Sequence, residues 1–334
     1  MFSPISVPAT EMTASSADVD AVWRPTPHEF TDPTLPNAVR VYEVGPRDGL
    51  QAESATVPTE VKAEFCRRLV VAGVRSLEVT SFVSPKWIPQ LADAEELMAE
   101  LDLPDTVRQV VLAPNVRGFE RALASGAREV AVFVSATETF ARKNLNTTIL
   151  GALDNAHRVI AGARCAGIST RGYISMCFGD PWEGKVDPHR VADIAAELMA
   201  MGCSSISLGD TIGVATPGHV RAVLDAVLEK GVSVDSIAGH FHDTYGQALA
   251  NVYAALRLGV TEFDTAAGGL GRCPYARGAT GNLATEELVW MLHGLGIRTG
   301  IDLDVLTGTS QWMAQHIGHS SPSRVATALT AARS

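Results

Sequence analysis

From residue 41 onward, apolar residues come in short runs, each followed by a longer stretch with helical spacing. Strands are predicted at 41–44, 76–81, 107–112, 129–134, 172–177 and 205–208. A seventh ends in Gly239-His240-Phe241-His242, and 262–264 makes an eighth. Helices are predicted at 58–72, 91–101, 116–124, 150–166, 188–201, 216–229, 246–258 and 283–292. Gly73, Gly126, Gly167, Gly202, Gly231 and Gly259 stand just behind helical stretches, where a left-handed residue ends a helix and feeds the next strand. Eight strand–helix units in a row predict an α/β fold, a parallel (β/α)8 TIM barrel spanning 39–300. The alternative is a doubly wound open sheet, but no Gly-x-Gly-x-x-Gly opens the first helix.

Two segments fall outside this alternation. Residues 1–38 are rich in Pro, Ser, Thr and Ala and read as a flexible N-terminal arm, with Trp23 and Phe30 as candidate anchors. Residues 301–334 hold two further helical patterns, 305–315 and 324–331, expected to pack on the barrel without chemistry of their own.

Composition narrows the functional classes. The 334 residues are 46% hydrophobic, enough for one large core. Only 27 Lys and Arg face 37 Asp and Glu, so a nucleic-acid surface is not expected. No apolar run approaches the roughly 20 residues of a membrane span. Cys66, Cys165, Cys177, Cys203 and Cys273 are odd in number and widely spaced, which argues for reduced thiols in a cytoplasmic protein. The acidic N-terminal stretch (Glu11, Asp18, Asp20) argues against a transit peptide.

Candidate chemistry gathers at predicted strand ends, where barrels place their sites. His240 and His242 project from the same side of a strand and can share one metal ion. Gly45-Pro46-Arg47-Asp48-Gly49-Leu50-Gln51 follows the first strand. Asp48 offers a hard oxygen ligand, and Arg47 a fork of donors for a carboxylate or enolate. Glu78, if it points inward, needs a partner, and Arg47 is the natural one. Asp210 and Thr211 end the sixth strand; they either support a ligand and bind substrate, or cap the next turn. A glycine-rich segment, 268–282, carries Cys273 between Arg272 and Arg277, cations that would lower its thiol pKa. Asn282 is either a helix N-cap or an amide ligand. Arg142, Lys143 and Asn144 are candidates for carboxylate or phosphate contacts, or simply a solvated helix start. Two imidazoles, a carboxylate and an amide oxygen suit Mg²⁺ or Mn²⁺ better than a structural zinc.

Four stretches carry a resemblance. They are Val41-Tyr42-Glu43-Val44-Gly45-Pro46-Arg47-Asp48-Gly49-Leu50-Gln51, the segment from Glu78-Val79-Thr80-Ser81 to Gln90, Gly239 to Asn251, and the Cys273 segment. Together they resemble the 3-hydroxy-3-methylglutaryl-CoA lyase family of metal-dependent TIM-barrel enzymes, from about residue 41 to 303. The resemblance implies cleavage of that thioester to acetyl-CoA and acetoacetate. It implies a divalent metal, Mg²⁺ or Mn²⁺, held by Asp48, His240, His242 and Asn282. Arg47 would steady the enolate oxygen, Glu78 and His240 would join it in catalysis, and Cys273 would act as acid/base. Gln51 and Thr211 would contact substrate, with Glu43 and Asp210 in supporting positions. Leucine breakdown, an acyl-CoA substrate and a homodimer are the family expectations. Three departures leave the acyl group and CoA contacts open. Arg272 precedes Cys273 where the family has Gly, Ser54 replaces a basic residue, and Phe178-Gly179-Asp180-Pro181-Trp182 replaces a Gly-Cys-Pro-Tyr type of segment. A related 3-hydroxy-3-alkylglutaryl-CoA, a 4-hydroxy-2-oxo acid aldolase reaction, an acyl-CoA condensing synthase and a non-catalytic barrel are the competing readings.

Overall fold

In a computed structural model that describes residues 25–271 and 281–332, eight parallel strands close into a barrel in sequence order. They are β1 (Arg40–Glu43), β2 (Ser76–Ser81), β3 (Arg108–Leu112), β4 (Glu129–Ser135), β5 (Ser169–Ser175), β6 (Ser205–Asp210), β7 (Ile237–Phe241) and β8 (Glu262–Thr265). β1 pairs with β8 from Arg40↔Glu262 to Glu43↔Thr265, which closes the ring. The surrounding helices are α1 (Thr59–Val71), α2 (Ala94–Glu100), α3 (Val116–Ala124), α4 (Glu138–Leu145), α5 (Ile149–Cys165), α6 (Pro188–Met201), α7 (Pro217–Glu229), α8 (Ala248–Leu256) and α9 (Thr285–Gly294). Two more, α10 (Leu303–Ile317) and α11 (Arg324–Ala331), follow the barrel.

The strands are buried on both sides, and their alternation sorts two environments. Leu77, Val79, Ile206, Leu208 and Phe263 belong to the apolar core shared with the helices. The intervening Glu78, Arg171, Ser207, His240, Glu262 and Asp264 are buried polar groups that meet one another across the barrel. An apolar filling is usual for such barrels; here charge and hydroxyls occupy much of it. Helix ends follow local chemistry. Asn115, Thr148 and Asp187 accept from backbone N–H groups at the starts of α3, α5 and α6, and Gly202 (φ 117°) ends α6. Gly73 (φ 105°) lets the turn after α1 run against the Gly300 carbonyl, where a Cβ would collide with backbone.

Three expectations need revision. The helix expected at 91–101 starts later, because Pro89–Leu91 forms a separate 3-10 turn before α2. An additional helix, α4, fills the β4–α5 connection and ends on the left-handed Asn146 (φ 51°). Arg142 and Lys143 therefore sit in its last turn, where cations oppose the helix dipole. Arg142 pairs with Glu138, and Lys143 lies over the Trp182 ring. The arm, where described, is held against the barrel: Phe30 N donates to Gly294 O, and Val39 N to Arg298 O. Leu35 is its buried apolar contact, while the Phe30 ring is 81% exposed. Trp23 lies outside the described residues.

The C-terminal helices also reach toward functional loops. Ser310 of α10 donates to Glu286, whose oxygens accept from Gly268 N. Ser321 donates to Gly268 O, and His319 Nε2 meets Glu53 Oε2 at 2.8 Å. These contacts brace the loops after β1 and β8.

Candidate active site

Residues Gly45–Gly49 wind as one π-helical turn, in which the N–H groups of Arg47, Asp48 and Gly49 all return to Val44 O. The tight turn brings Arg47 inward and leaves it 7% exposed. Its Nε and Nη2 each lie 2.6 Å from Glu78 Oε2, and Nη1 lies 2.8 Å from Asp48 Oδ1. Three of five guanidinium N–H groups are thus engaged, leaving two for an oxyanion. Burial opposes the Arg47 charge, but Glu78 and Asp48 outweigh it and hold the group cationic. Glu78, whose direction the sequence left open, points inward from β2 and pairs with Arg47.

Across the mouth, His240 is the last residue but one of β7 and His242 follows the strand, bridged to Asn282. Their ring centroids are 5.3 Å apart. One ligand atom each from Asp48, His240 and His242 lie within 4.8 Å of one another. Asn282 completes the group without capping α9, whose N-cap is Ala284. Its Nδ2 donates to Asp48 Oδ2 (2.9 Å) and Leu270 O (3.1 Å), which turns Oδ1 the other way. Among the described residues, Asn282 Oδ1 and His242 Nδ1 are both buried without a hydrogen-bond partner. Such orphaned acceptors are costly unless something absent from the protein atoms satisfies them. With an adjacent carboxylate, they fit a divalent cation.

Electrostatics prepare the same groups. Burial opposes ionisation of Asp48, yet Arg47 and the imidazoles pull its carboxyl down to about 2. Burial, then the charge of His240, lowers His242 to about 4, so its imidazole is neutral and available as a ligand. His240 is also opposed by burial, but its bond to Asp264 and the charge there raise it above the ordinary value.

The remaining sequence candidates divide. Glu43 holds backbone: Oε1 accepts from Gly45 N and Ala267 N, and Oε2 from Thr285 Oγ1. Burial pushes its carboxyl up to about 7. Asp210 caps the loop after β6 through Val214 N and Ala215 N and makes no hydrogen bond to a histidine among the described residues. Burial raises it too, to about 7. Thr211 Oγ1 accepts from Met176 N, so its hydroxyl braces the end of β5. Gln51 is half-buried just past the π-turn and bonds to none of these side chains among the described residues. Cys273, with Arg272 and Arg277, lies outside the described residues.

Two residues escaped sequence reasoning. Asp264 on β8 is the carboxylate that His240 Nδ1 meets, at 3.2 Å. Tyr173 on β5 lies beneath the site, edge-on to His240 (6.4 Å between centroids) and below Arg47 (5.9 Å). The available signal was a polar pair at alternate positions of an apolar strand: Arg171 and Tyr173, then Glu262 and Asp264.

Comparison with known proteins agrees with this geometry. Residues 38–313 match the HMGL-like family. The mitochondrial hydroxymethylglutaryl-CoA lyase of Rattus norvegicus is 50% identical over 295 residues, covering 88% of this chain and 90% of the relative. The crystal structure of hydroxymethylglutaryl-CoA lyase from Pseudomonas aeruginosa shares 48% identity with a TM-score of 0.87, covering 89% of this chain and 99% of that one. An HMG-CoA lyase from Acinetobacter baumannii, solved with coenzyme A and 3-methylmalate, shares 36% identity with a TM-score of 0.84, covering 90% and 97%.

Proposed function

The chain belongs to the HMGL-like family, and from that membership we propose that it cleaves 3-hydroxy-3-methylglutaryl-CoA to acetyl-CoA and acetoacetate. The observation that carries the reading is the convergence of Asp48, His240 and His242, with Asn282 bonded to Asp48, beside the two open N–H groups of Arg47.

Asp48, His240, His242 and Asn282 would hold a divalent cation, Mg²⁺ or Mn²⁺. When bound, it supplies Lewis acidity that makes the substrate's tertiary hydroxyl more acidic. Asp48 or His240 would take the hydroxyl proton, and whichever does so gives up its own place on the cation. As the carbon–carbon bond breaks, the electron pair moves onto the thioester as an enolate, and acetoacetate's ketone forms behind it. Arg47 meets the enolate oxygen with fixed, buried N–H donors. Glu78 holds that guanidinium in line. A proton must then reach the enolate carbon, and Cys273 is the proposed donor on sequence likeness.

The reading extends to an acyl-CoA of leucine breakdown, handled by a homodimer in the cytoplasm. The free state of Cys66, Cys165, Cys177 and Cys203 accords with a reducing compartment, and no helix among the described residues is long and apolar enough to cross a membrane.

The test is incubation with 3-hydroxy-3-alkylglutaryl-CoA thioesters and Mg²⁺, with fragments identified by mass. Acetyl-CoA and acetoacetate are expected from the methyl substrate. Release should stop with a chelator and return with Mg²⁺ or Mn²⁺. Pyruvate from a 4-hydroxy-2-oxo acid, without thioester cleavage, would replace this reading with the aldolase. In the same assay Cys273→Ala should lose most turnover; a wild-type rate would remove its role.

A further inference from the structure

We infer that Asp264 is a positioning residue for the centre: it fixes the tautomer and ring plane of His240, and Arg171 and Ser207 hold it in place. The inference rests on the metal reading above only for its effect on cation affinity, because the tautomer is a property of the protein alone.

The argument starts from the carboxylate. Asp264 is 1% exposed, and Arg171, fully buried, makes an ion pair with its Oδ1. A guanidinium at that contact keeps Asp264 ionised, so both oxygens are acceptors. Oδ2 receives Ser207 Oγ–H at 2.7 Å and faces His240 Nδ1 at 3.2 Å. An acceptor opposite Nδ1 requires the proton on Nδ1, which leaves the Nε2 lone pair for the mouth of the barrel. The Tyr173 ring, at 84° to the imidazole, limits rotation from one side.

Among the described residues nothing equivalent holds its neighbour: His242 Nδ1 is buried without a hydrogen-bond partner. The two imidazoles are therefore set differently, one by a buried carboxylate and the other by its backbone position. Asp210, a carboxylate that the sequence offered either as a ligand support or as a turn cap, accepts from Val214 N and Ala215 N in the loop after β6.

The anchor runs deeper. Arg171 also pairs with Glu262, two residues before Asp264 on β8, and Glu262 meets Arg108 and Arg40. Asp264 is thus held in a network that crosses the barrel floor. Hydrogen-bond partners of metal-bound histidines are typically worth about 10–100-fold in metal affinity.

The test uses the full-length, metal-free protein with nitrogen-15 labelled histidine, at a pH where His240 is neutral. Its signals are assigned among the nine histidines by their loss in His240→Gln. The expected result is a proton on Nδ1; a proton on Nε2 overturns the inference. Asp264→Asn is then titrated with Mn²⁺, followed by electron paramagnetic resonance. Binding weaker by about 10–100-fold in a variant that still folds is expected. Wild-type affinity in a folded variant overturns the inference. If Asp264→Asn does not fold, the wild-type tautomer decides by itself. Wild-type protein that ignores Mn²⁺ would sink the metal reading, while the tautomer still decides this one.

Discussion

Arg47→Met is expected to lower kcat by about 10²–10³-fold, the usual cost of removing a fixed donor from a developing oxyanion. KM should change far less, because the enolate charge exists only after the bond begins to break. The pH profile should move as well. Arg47 is the largest attractive influence holding Asp48 down at about 2. Without it, the carboxyl protonates at higher pH, so the acid limb of kcat shifts upward. Arg47→Lys keeps the charge but loses the fork that spans Glu78 and Asp48, and should recover only part of the rate. A wild-type kcat in Arg47→Met, measured on folded protein, would end the enolate role.

The second large effect concerns stability. Arg171→Met should cost about 3–5 kcal/mol, because it leaves Asp264 in the barrel interior without a guanidinium, while Glu262 keeps Arg108 and Arg40. That is a large share of the roughly 5–15 kcal/mol by which domains are stable. Adding Asp264→Asn removes the stranded charge and should return part of the loss. Urea denaturation of the three proteins gives the numbers. A single variant within about 1 kcal/mol of wild type would show that the pair had been little more than neutral.

Most of the barrel was legible because β/α alternation writes itself into spacing. Eight strands read correctly, since both faces of each are buried and the runs stay short. What failed was local. α4 has eight residues with polar Glu138, Arg142, Lys143 and Asn144, too short and too wet to announce a period. The arm's docking rests on backbone bonds and on Leu35, neither of which a Pro- and Ser-rich composition reveals.

At the site, what sequence could reveal was donor type at a strand end. His240, His242, Asp48 and Arg47 stood beside turns and glycines, and the structure gathers them. Asn282 was ambiguous because capping and ligation want the same amide; the identity of the real cap, Ala284, separates them. Asp264 was hidden because two acidic residues, Glu262 and Asp264, in a four-residue strand look like edge charges. Its meaning comes from Arg171, 93 positions away. Asp210 stayed open between support and capping because a strand-end carboxylate suits both; it accepts from the loop after β6 and also feels the charge of His240.

The Asn282–Asp48 hydrogen bond joins positions 234 residues apart, and Glu43 reaches 224 residues ahead to Ala267 N. On the ribosome, then, the first half of the chemistry waits for the last strand before it exists. A chain that ends before residue 240 carries Arg47, Asp48 and Glu78 without either imidazole or Asn282, so the site is assembled only once nearly the whole barrel has been made.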